Sequence, residues 1–145
     1  MVVRKMTLAD VEAVYKISCA SFSQPWSLSS IEKEVDNTVA TYFVAEEEDK
    51  ILGFAGLWHV LDEGEIINIA VNRDKQRCGI GNNLLTRVLK EAKIKGVKVI
   101  YLEVRLSNVA AQSLYEKHGF KQIAVRKAYY HEPVEDAVIM EYIVG

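Results

Sequence analysis

The segment from Gln76 to Gly81, QRCGIG, places two glycines and an arginine after an apolar run and before an amphipathic one. Glycine at positions 79 and 81 lets backbone N–H groups turn inward without obstruction from a Cβ atom. Unpaired N–H groups and the dipole at the start of a helix attract anions, and Arg77 adds a full positive charge. The segment lacks the Gly-Lys-Ser/Thr of a nucleoside-triphosphate loop and the third glycine of a dinucleotide fingerprint. The pattern therefore fits either a diphosphate held mainly by backbone or an ordinary strand-to-helix turn.

A carboxylate and a phenol further along the chain could move protons. Glu103 interrupts an apolar run and shares one face of the predicted strand with Val99 and Tyr101. A carboxylate in that place must be solvated or paired, so Glu103 is either a reactive group or the partner of Arg105 or a lysine. Tyr115 lies on a short predicted helix, where its ring could pack in the core or its hydroxyl could act as an acid.

Alternating predicted elements position these groups. Two helices come first, one ending near Ala20 and the other running through Val35. Two β-rich runs around the charged turn 47–50 predict a hairpin, and EIINIAV supplies a third strand. A helix over 80–95 precedes the buried strand VKVIYLEV, and a short helix over 109–117 precedes two final strands, KQIAVRKAYY and DAVIMEYIV. This order predicts a mixed α/β chain in which an antiparallel meander joins a βαβ unit.

Length and charge restrict the class of protein. A chain of 145 residues with a formal charge of −2 fits one domain, residues 1–145, and lacks the basic surplus typical of nucleic-acid scaffolds. No apolar run approaches the ~18 residues of a membrane span, and the first residues lack the apolar core of a signal peptide. Cys19 and Cys78 stand in no metal-ligand spacing, and His59, His118 and His131 form none either. We therefore expect a cytoplasmic protein with reduced thiols, no metal, no membrane contact and no direct contact with nucleic acid.

The spacing Gln76-x-x-Gly79-x-Gly81 resembles the acetyl-CoA pyrophosphate loop, Gln/Arg-x-x-Gly-x-Gly/Ala, of the GNAT superfamily of N-acetyltransferases. The resemblance extends to NIAV and LEVRLSNVAAQSLYEKHGF, to PWS near the start and to YY and EDAVIM near the end, so it covers essentially the whole chain. Within the superfamily the chain looks most like the bacterial RimI type, the ribosomal-protein-alanine N-acetyltransferases. The resemblance implies a central, mostly antiparallel, twisted sheet with flanking helices and a βαβ unit that binds acetyl-CoA.

The same resemblance implies which residues bind the cofactor. Backbone groups of one strand would pair with the amide-containing pantetheine arm, at Ile69, Ala70 and Val71. The glycine loop would hold the pyrophosphate, through Arg77, Cys78, Gly79, Ile80, Gly81 and Asn82. Asn108 would contact the cofactor near its thiol end, although its residue type alone predicts the N-cap of the following helix, and both roles are compatible.

An acid–base scheme follows from the resemblance as well. Glu103 would take the proton of the acceptor ammonium, directly or through a water, because only the neutral amine attacks a thioester. Tyr115 would protonate the departing thiolate of CoA, so that no covalent enzyme intermediate is needed. A thiol at a helix start beside Arg77 is a second candidate nucleophile, but a pantetheine length would separate Cys78 from the acetyl group, which argues against that role.

Two exposed segments could hold the acceptor, 22–27 and 128–136, with aromatic side chains at Trp26, Tyr129, Tyr130 and His131. Acidic residues near them would attract a basic peptide, unless they are only solvated turns: Asp62, Glu63, Glu65, Glu132, Glu135 and Asp136. The resemblance therefore implies acetylation of the N-terminal amine, of alanine, in a basic small-subunit ribosomal protein.

Two alternative functions stay open at this level. One is an N-acetyltransferase for a lysine side chain or a small amine. The other belongs to a different class, a non-catalytic regulatory module that binds acetyl-CoA, and the presence of both Glu103 and Tyr115 argues against it.

Overall fold

The computed structural model describes residues 1–145, whose seven strands form one sheet. The strands are β1 (Val2–Lys5), β2 (Ala40–Glu47), β3 (Lys50–Val60), β4 (Glu63–Val71), β5 (Val99–Arg105), β6 (Lys121–Tyr130) and β7 (Glu135–Ile143). Their order across the sheet is β1-β2-β3-β4-β5-β7-β6, and only the central pair of β4 and β5 is parallel. The predicted meander and βαβ unit are both confirmed.

Four α-helices flank the sheet: α1 (Val11–Ser21), α2 (Leu28–Glu34), α3 (Ile80–Ile94) and α4 (Val109–Lys117). Short 3-10 turns precede α1 at Leu8–Asp10 and follow β4 at Arg73–Lys75. The helices agree with the predicted ones to within one residue at their ends. The strand β1 has no counterpart in the sequence prediction, because four residues carry no readable period and β1 is fixed by its pairing with β2.

The two faces of the sheet are covered by different helices. Apolar residues of α3, including Leu84, Leu85 and Val88, pack with Ile100 and Leu102 of β5 in the larger of two hydrophobic clusters. The smaller cluster joins α1 and α2 to β2, β3 and β4 on the opposite face. The part of that second face formed by β5, β7 and β6 has no helix in either cluster, which leaves room for a groove beside α1 and α2.

None of the helices is both long enough and apolar enough to cross a lipid bilayer.

Candidate functional site

The strands β4 and β5 separate after a short stretch of parallel pairing. Only Glu63 to Glu65 of β4 pair with Val99 to Tyr101 of β5, although both strands continue. A β-bulge in β4, opposite Gly56 and Leu57 of β3, adds one residue between Ile66 and Asn68 at the point where the strands part. Because bulges bend a strand and increase its twist, this one opens a cleft beside the remainder of β4. The predicted pantetheine-binding residues, Ile69, Ala70 and Val71, lie on that free part of β4.

The glycine loop at the end of this cleft presents a run of free backbone donors. None of the N–H groups from Arg77 to Asn82 donates a hydrogen bond within the protein, and the first bond of α3 joins the Asn83 N–H to the Gly79 carbonyl at 3.0 Å. Arg77 and Gly79 both have positive φ, 66° and 80°, so the backbone alternates direction as it does in anion-binding nests. A diphosphate fits this donor set, since the loop is exposed, carries Arg77 and begins a helix.

The two glycines of the loop differ in backbone conformation and in surroundings. Gly79 is favoured by its backbone alone, because its φ of 80° lies in the left-handed region, and a Cβ atom there would meet no other atom within 4 Å. Gly81 has no positive φ, and a Cβ atom at that position would lie 3.4 Å from Leu114 of α4 and 3.9 Å from Val71. These are ordinary van der Waals distances, so only a side chain longer than a methyl group would meet Leu114.

Polar side chains connect α3 and α4 around this loop. The Asn108 side chain accepts a hydrogen bond from the Ala111 N–H at 3.2 Å, which confirms the predicted N-cap of α4. His118, at the end of α4, lies 2.8 Å from the Asn82 side-chain oxygen through its Nε2 atom. Burial, and then the charge of Lys117, lower the pKa of His118, so a neutral imidazole is favoured in this bond. Sequence analysis assigned no partner to His118, because Asn82 lies 36 residues away in the chain.

A groove of about 390 Å³ on the helix-free part of the sheet contains Glu103. Its other lining residues are Glu63, Glu65, Tyr101, Ala124, Arg126 and Ile139. The alternation of β5 confirms the predicted face of Glu103, because Ile100, Leu102 and Val104 are buried on the other side.

The carboxylates of the groove form no ion pair within the protein, and the one cationic residue that lines the groove, Arg126, lies over the Tyr129 ring. None of Glu63, Glu65 and Glu103 forms a salt bridge. Burial, followed by the neighbouring charges of Glu103 and Glu63, raises the pKa of Glu65 above its ordinary value. Like charges that stay close without a counter-ion are costly, and such arrangements cluster at functional sites. The groove therefore favours a cationic occupant.

Tyr115 and Glu103 are each linked electrostatically to a third residue, Tyr130. Tyr115 is buried, with its ring 5.7 Å from that of Phe120, and its pKa is raised by burial and by Tyr130. Burial and the charge of Glu103 raise the pKa of Tyr130 to about 12. The Tyr115 hydroxyl has no hydrogen-bond partner, yet it is absent from the fully buried unpaired atoms, so it retains contact with solvent. Tyr115 belongs to the larger hydrophobic cluster and Glu103 faces the groove on the other side of β5, so their roles as acid and base stay predictions.

The alternative pairing of Glu103 with Arg105 is wrong. Arg105 forms its salt bridge with Glu135 instead, at 3.2 Å, because β5 pairs with β7 in a register that puts Ala137 opposite Arg105 and Glu135 just beyond it. Glu135 and Asp136, two of the acidic residues expected to attract a peptide, already have partners within the protein. Glu135 also accepts the Ser107 N–H, and Asp136 accepts the Ala128 N–H at 2.9 Å.

The two segments expected to hold the acceptor flank the groove side of the sheet. Trp26 is half-buried with its ring centroid 5.8 Å from that of Trp58, so it packs on the sheet instead of standing free. Tyr129 and Tyr130 contact each other edge to face at 5.0 Å, and Arg126 lies over the Tyr129 ring. Burial, and then the charge of Glu103, raise the pKa of both tyrosines. Trp26, Tyr129 and Tyr130 do not line the groove itself.

Comparisons with known proteins agree with this geometry. The model of the acetyltransferase (GNAT) family matches residues 11–120. The ribosomal protein bS18-alanine N-acetyltransferase of Escherichia coli (strain K12) is 36% identical over 140 residues, 95% of this chain and 94% of that protein. The Haemophilus influenzae protein of the same name is 36% identical over 142 residues, 96% of each. The crystal structure of the ribosomal-protein-S18-alanine N-acetyltransferase from Escherichia coli superposes with a TM-score of 0.91 and 34% identity, covering 99% of this chain and 94% of that one.

Proposed function

Because the chain belongs to the acetyltransferase (GNAT) family and is therefore an N-acetyltransferase, we propose that it acetylates the N-terminal amine of a ribosomal protein of the small subunit. Membership of the family implies acetyl-CoA as the acetyl donor. The observation that carries the choice of acceptor is the groove, in which three carboxylates, Glu63, Glu65 and Glu103, outnumber the single cation Arg126 and form no salt bridge. Relatives that cover nearly the whole chain are named for the alanine of ribosomal protein bS18.

Acetyl-CoA binding is assigned to the cleft and to the glycine loop. The free edge of β4 at Ile69, Ala70 and Val71 offers peptide-like partners for the amides of pantetheine. The unpaired N–H groups from Arg77 to Asn82 offer donors for the pyrophosphate. The Asn108 side chain already caps α4, so a contact with the cofactor uses its amide N–H₂ group while its oxygen keeps the cap.

A charge substitution at Asn82 tests the pyrophosphate assignment. Asn82→Asp is expected to weaken acetyl-CoA binding roughly ten- to a hundredfold, because a carboxylate within about 6 Å of a phosphate costs on the order of 1–3 kcal/mol. The helix itself should be unharmed, since an acidic residue in the first turn favours the helix dipole and retains an oxygen for His118. Calorimetric titration with acetyl-CoA measures the effect.

The matched control for this experiment is Asn83→Asp. Asn83 is exposed and its N–H already donates to Gly79, so it carries the same charge change outside the donor run. The affinity of Asn83→Asp for acetyl-CoA should stay close to that of the unmodified protein. Equal affinities for both variants would remove the pyrophosphate from the loop. Gly81 is less suited to this purpose, because a side chain there also meets Leu114.

Direct transfer in a ternary complex is the mechanism that fits these residues. The thioester supplies the acetyl group, and the acceptor nitrogen forms the new C–N bond as the C–S bond breaks. Glu103 accepts the proton of the acceptor ammonium, directly or through a water, and so provides the neutral amine. Tyr115 donates its hydroxyl proton to the departing sulfur. Burial keeps that hydroxyl protonated at neutral pH, because it raises the pKa of Tyr115.

The acidic groove gives this enzyme a preference for a basic peptide end. A free N-terminal ammonium and a following arginine would place two positive charges against Glu63, Glu65 and Glu103. Opposite charges within several ångströms steer and hold such a peptide, and salt screens the attraction over about 10 Å at 0.1 M ionic strength. Arginine after a small first residue is therefore the preferred acceptor sequence.

Neutralising the groove tests this preference. Glu63→Gln and Glu65→Gln together are expected to raise KM for an Ala-Arg peptide roughly tenfold, with little change in kcat, as expected when uniform binding is removed. Steady-state kinetics at two salt concentrations check it, and the difference from the unmodified enzyme should shrink at high salt. Asp62→Asn is the matched control, because Asp62 has the same charge but does not line the groove.

The preference should also depend on pH. Since the pKa of Glu65 is raised, its carboxyl group stays neutral at pH values where an ordinary glutamate is already charged. Affinity for the basic peptide should therefore rise as pH increases through that raised pKa, and Glu65→Gln should flatten the rise. A pH profile of KM that is unchanged in Glu65→Gln would contradict this role of Glu65.

Mass spectrometry with a peptide panel separates the proposed acceptor from its alternative. Incubation with acetyl-CoA should add one acetyl group to the α-amine of Ala-Arg peptides. The same peptides with a blocked N-terminus and an internal lysine should stay unmodified. Faster acetylation of the lysine peptides, or of a polyamine, would instead support an N-acetyltransferase for side chains or small amines.

A further inference from the structure

The guanidinium of Arg105 lies at the junction of the two segments expected to enclose the acceptor. It donates to the carbonyls of His131 and Pro133 at 3.1 and 3.0 Å, both in the turn between β6 and β7. It donates to the Ser23 hydroxyl at 3.1 Å, in the loop between α1 and α2. Its salt bridge with Glu135 completes the set. One side chain therefore joins loops that are separated by more than a hundred residues.

Arg105 also contacts the aromatic ring of Tyr130, at the end of β6. Its guanidinium carbon lies 4.4 Å from the centroid of the Tyr130 ring, within the range of a cation–π contact. Burial, and then the charge of Glu103, raise the pKa of Tyr130. On β5 Arg105 follows Glu103 by two residues and points to the same face of the sheet. The side chain that joins the loops thus also packs on the ring of Tyr130.

We propose that Arg105 is a positioning residue that holds the 22–27 and 131–135 segments together and so forms the entrance for an extended peptide end. This inference rests on the proposed function for the identity of the acceptor, but the contacts that carry it are independent of the acceptor. No other side chain connects the two loops by hydrogen bonds.

Lysine cannot replace arginine in this arrangement. The planar guanidinium reaches acceptors on several sides at once and lies flat on an aromatic ring, whereas an ammonium is a compact charge on a flexible stem. Arg105→Lys therefore keeps the positive charge and most of the side-chain volume while losing several of the hydrogen bonds. A change in KM in Arg105→Lys therefore reflects the lost hydrogen bonds between the loops, because the positive charge is retained.

The test combines kinetics with proteolysis. Arg105→Lys is expected to raise KM for an Ala-Arg peptide roughly ten- to a hundredfold, while kcat and acetyl-CoA affinity change little. Limited digestion with chymotrypsin should cleave more rapidly after Phe22 and Tyr130, because the loops that contain them are no longer joined. Ser23→Ala, which removes only the hydroxyl between the loops, should shift KM in the same direction by a smaller factor.

Arg87→Lys is the matched control. Arg87 also combines a carboxylate partner, Glu91 at 3.1 Å, with a ring, Phe43 at 4.5 Å, but it lies on α3 away from the groove. Arg87→Lys should leave the peptide KM and the cleavage pattern unchanged. Unaltered KM and cleavage in both Arg105→Lys and Ser23→Ala would overturn the inference. If the unmodified protein acetylates no N-terminal peptide, the proposed acceptor fails, while the cleavage rates still decide whether Arg105 joins the loops.

Discussion

Turnover of an Ala-Arg peptide should fall about 10²–10⁴-fold when Glu103 is replaced by glutamine, the range typical for the loss of a general base. The substitution removes the only charged group of β5 that faces the groove at the level where β4 and β5 separate. The amide of glutamine has a similar shape but cannot accept the ammonium proton. Steady-state rates at saturating acetyl-CoA measure the loss, and calorimetry should show that acetyl-CoA affinity is retained.

The pH dependence identifies the step that is lost. The deficit of Glu103→Gln should be largest where the acceptor amine is protonated and should shrink as pH rises past about 8, the ordinary range for an α-amino group. Glu141→Gln is the control, because Glu141 lies on the neighbouring strand opposite Tyr101 but does not line the groove. A deficit that is equal at all pH values would point to a positioning role for Glu103 instead of proton transfer.

Tyr115→Phe should also lower turnover by about 10²–10⁴-fold, since the departing thiolate then leaves without a proton. The substitution removes one hydroxyl without a partner and leaves the ring against Phe120, so the fold should be preserved. Because burial raises the pKa of Tyr115, the phenol is protonated across the working range and the deficit should not vary with pH below about 10. This constant deficit distinguishes it from that of Glu103→Gln.

Tyr142→Phe provides the control for the acid. Tyr142 also packs on the Phe120 ring, at 5.2 Å between centroids, so it tests the loss of a hydroxyl from the same aromatic cluster. Its turnover should remain near that of the unmodified enzyme. A wild-type rate for Tyr115→Phe at every pH would assign the leaving-group proton to another donor.

Local patterns in the sequence determined most of the fold. The period of α3, the β-rich runs around the charged turn and the glycines at 79, 96 and 119 with positive φ depend on residues close together in the chain. The face of Glu103 follows from simple alternation along β5 for the same reason. The expected GNAT fold is confirmed by the family match and by the superposition on a related crystal structure. The roles of the individual site residues stay predictions until the variants are measured.

Contacts between distant segments could be decided only by the tertiary structure. Glu65 becomes a neighbour of Glu103 because of the short parallel register of β4 and β5, and the bulge in β4 then opens the cleft. Arg105 meets Glu135, Ser23 and the turn at Pro133 through the β5–β7 register and the course of two loops, none of which has a local period. A one-residue change of register would turn these side chains to the other face of the sheet. Periodicity along the chain therefore fixed which residues are helical, extended or exposed, while pairing across the sheet chose which of them share the site.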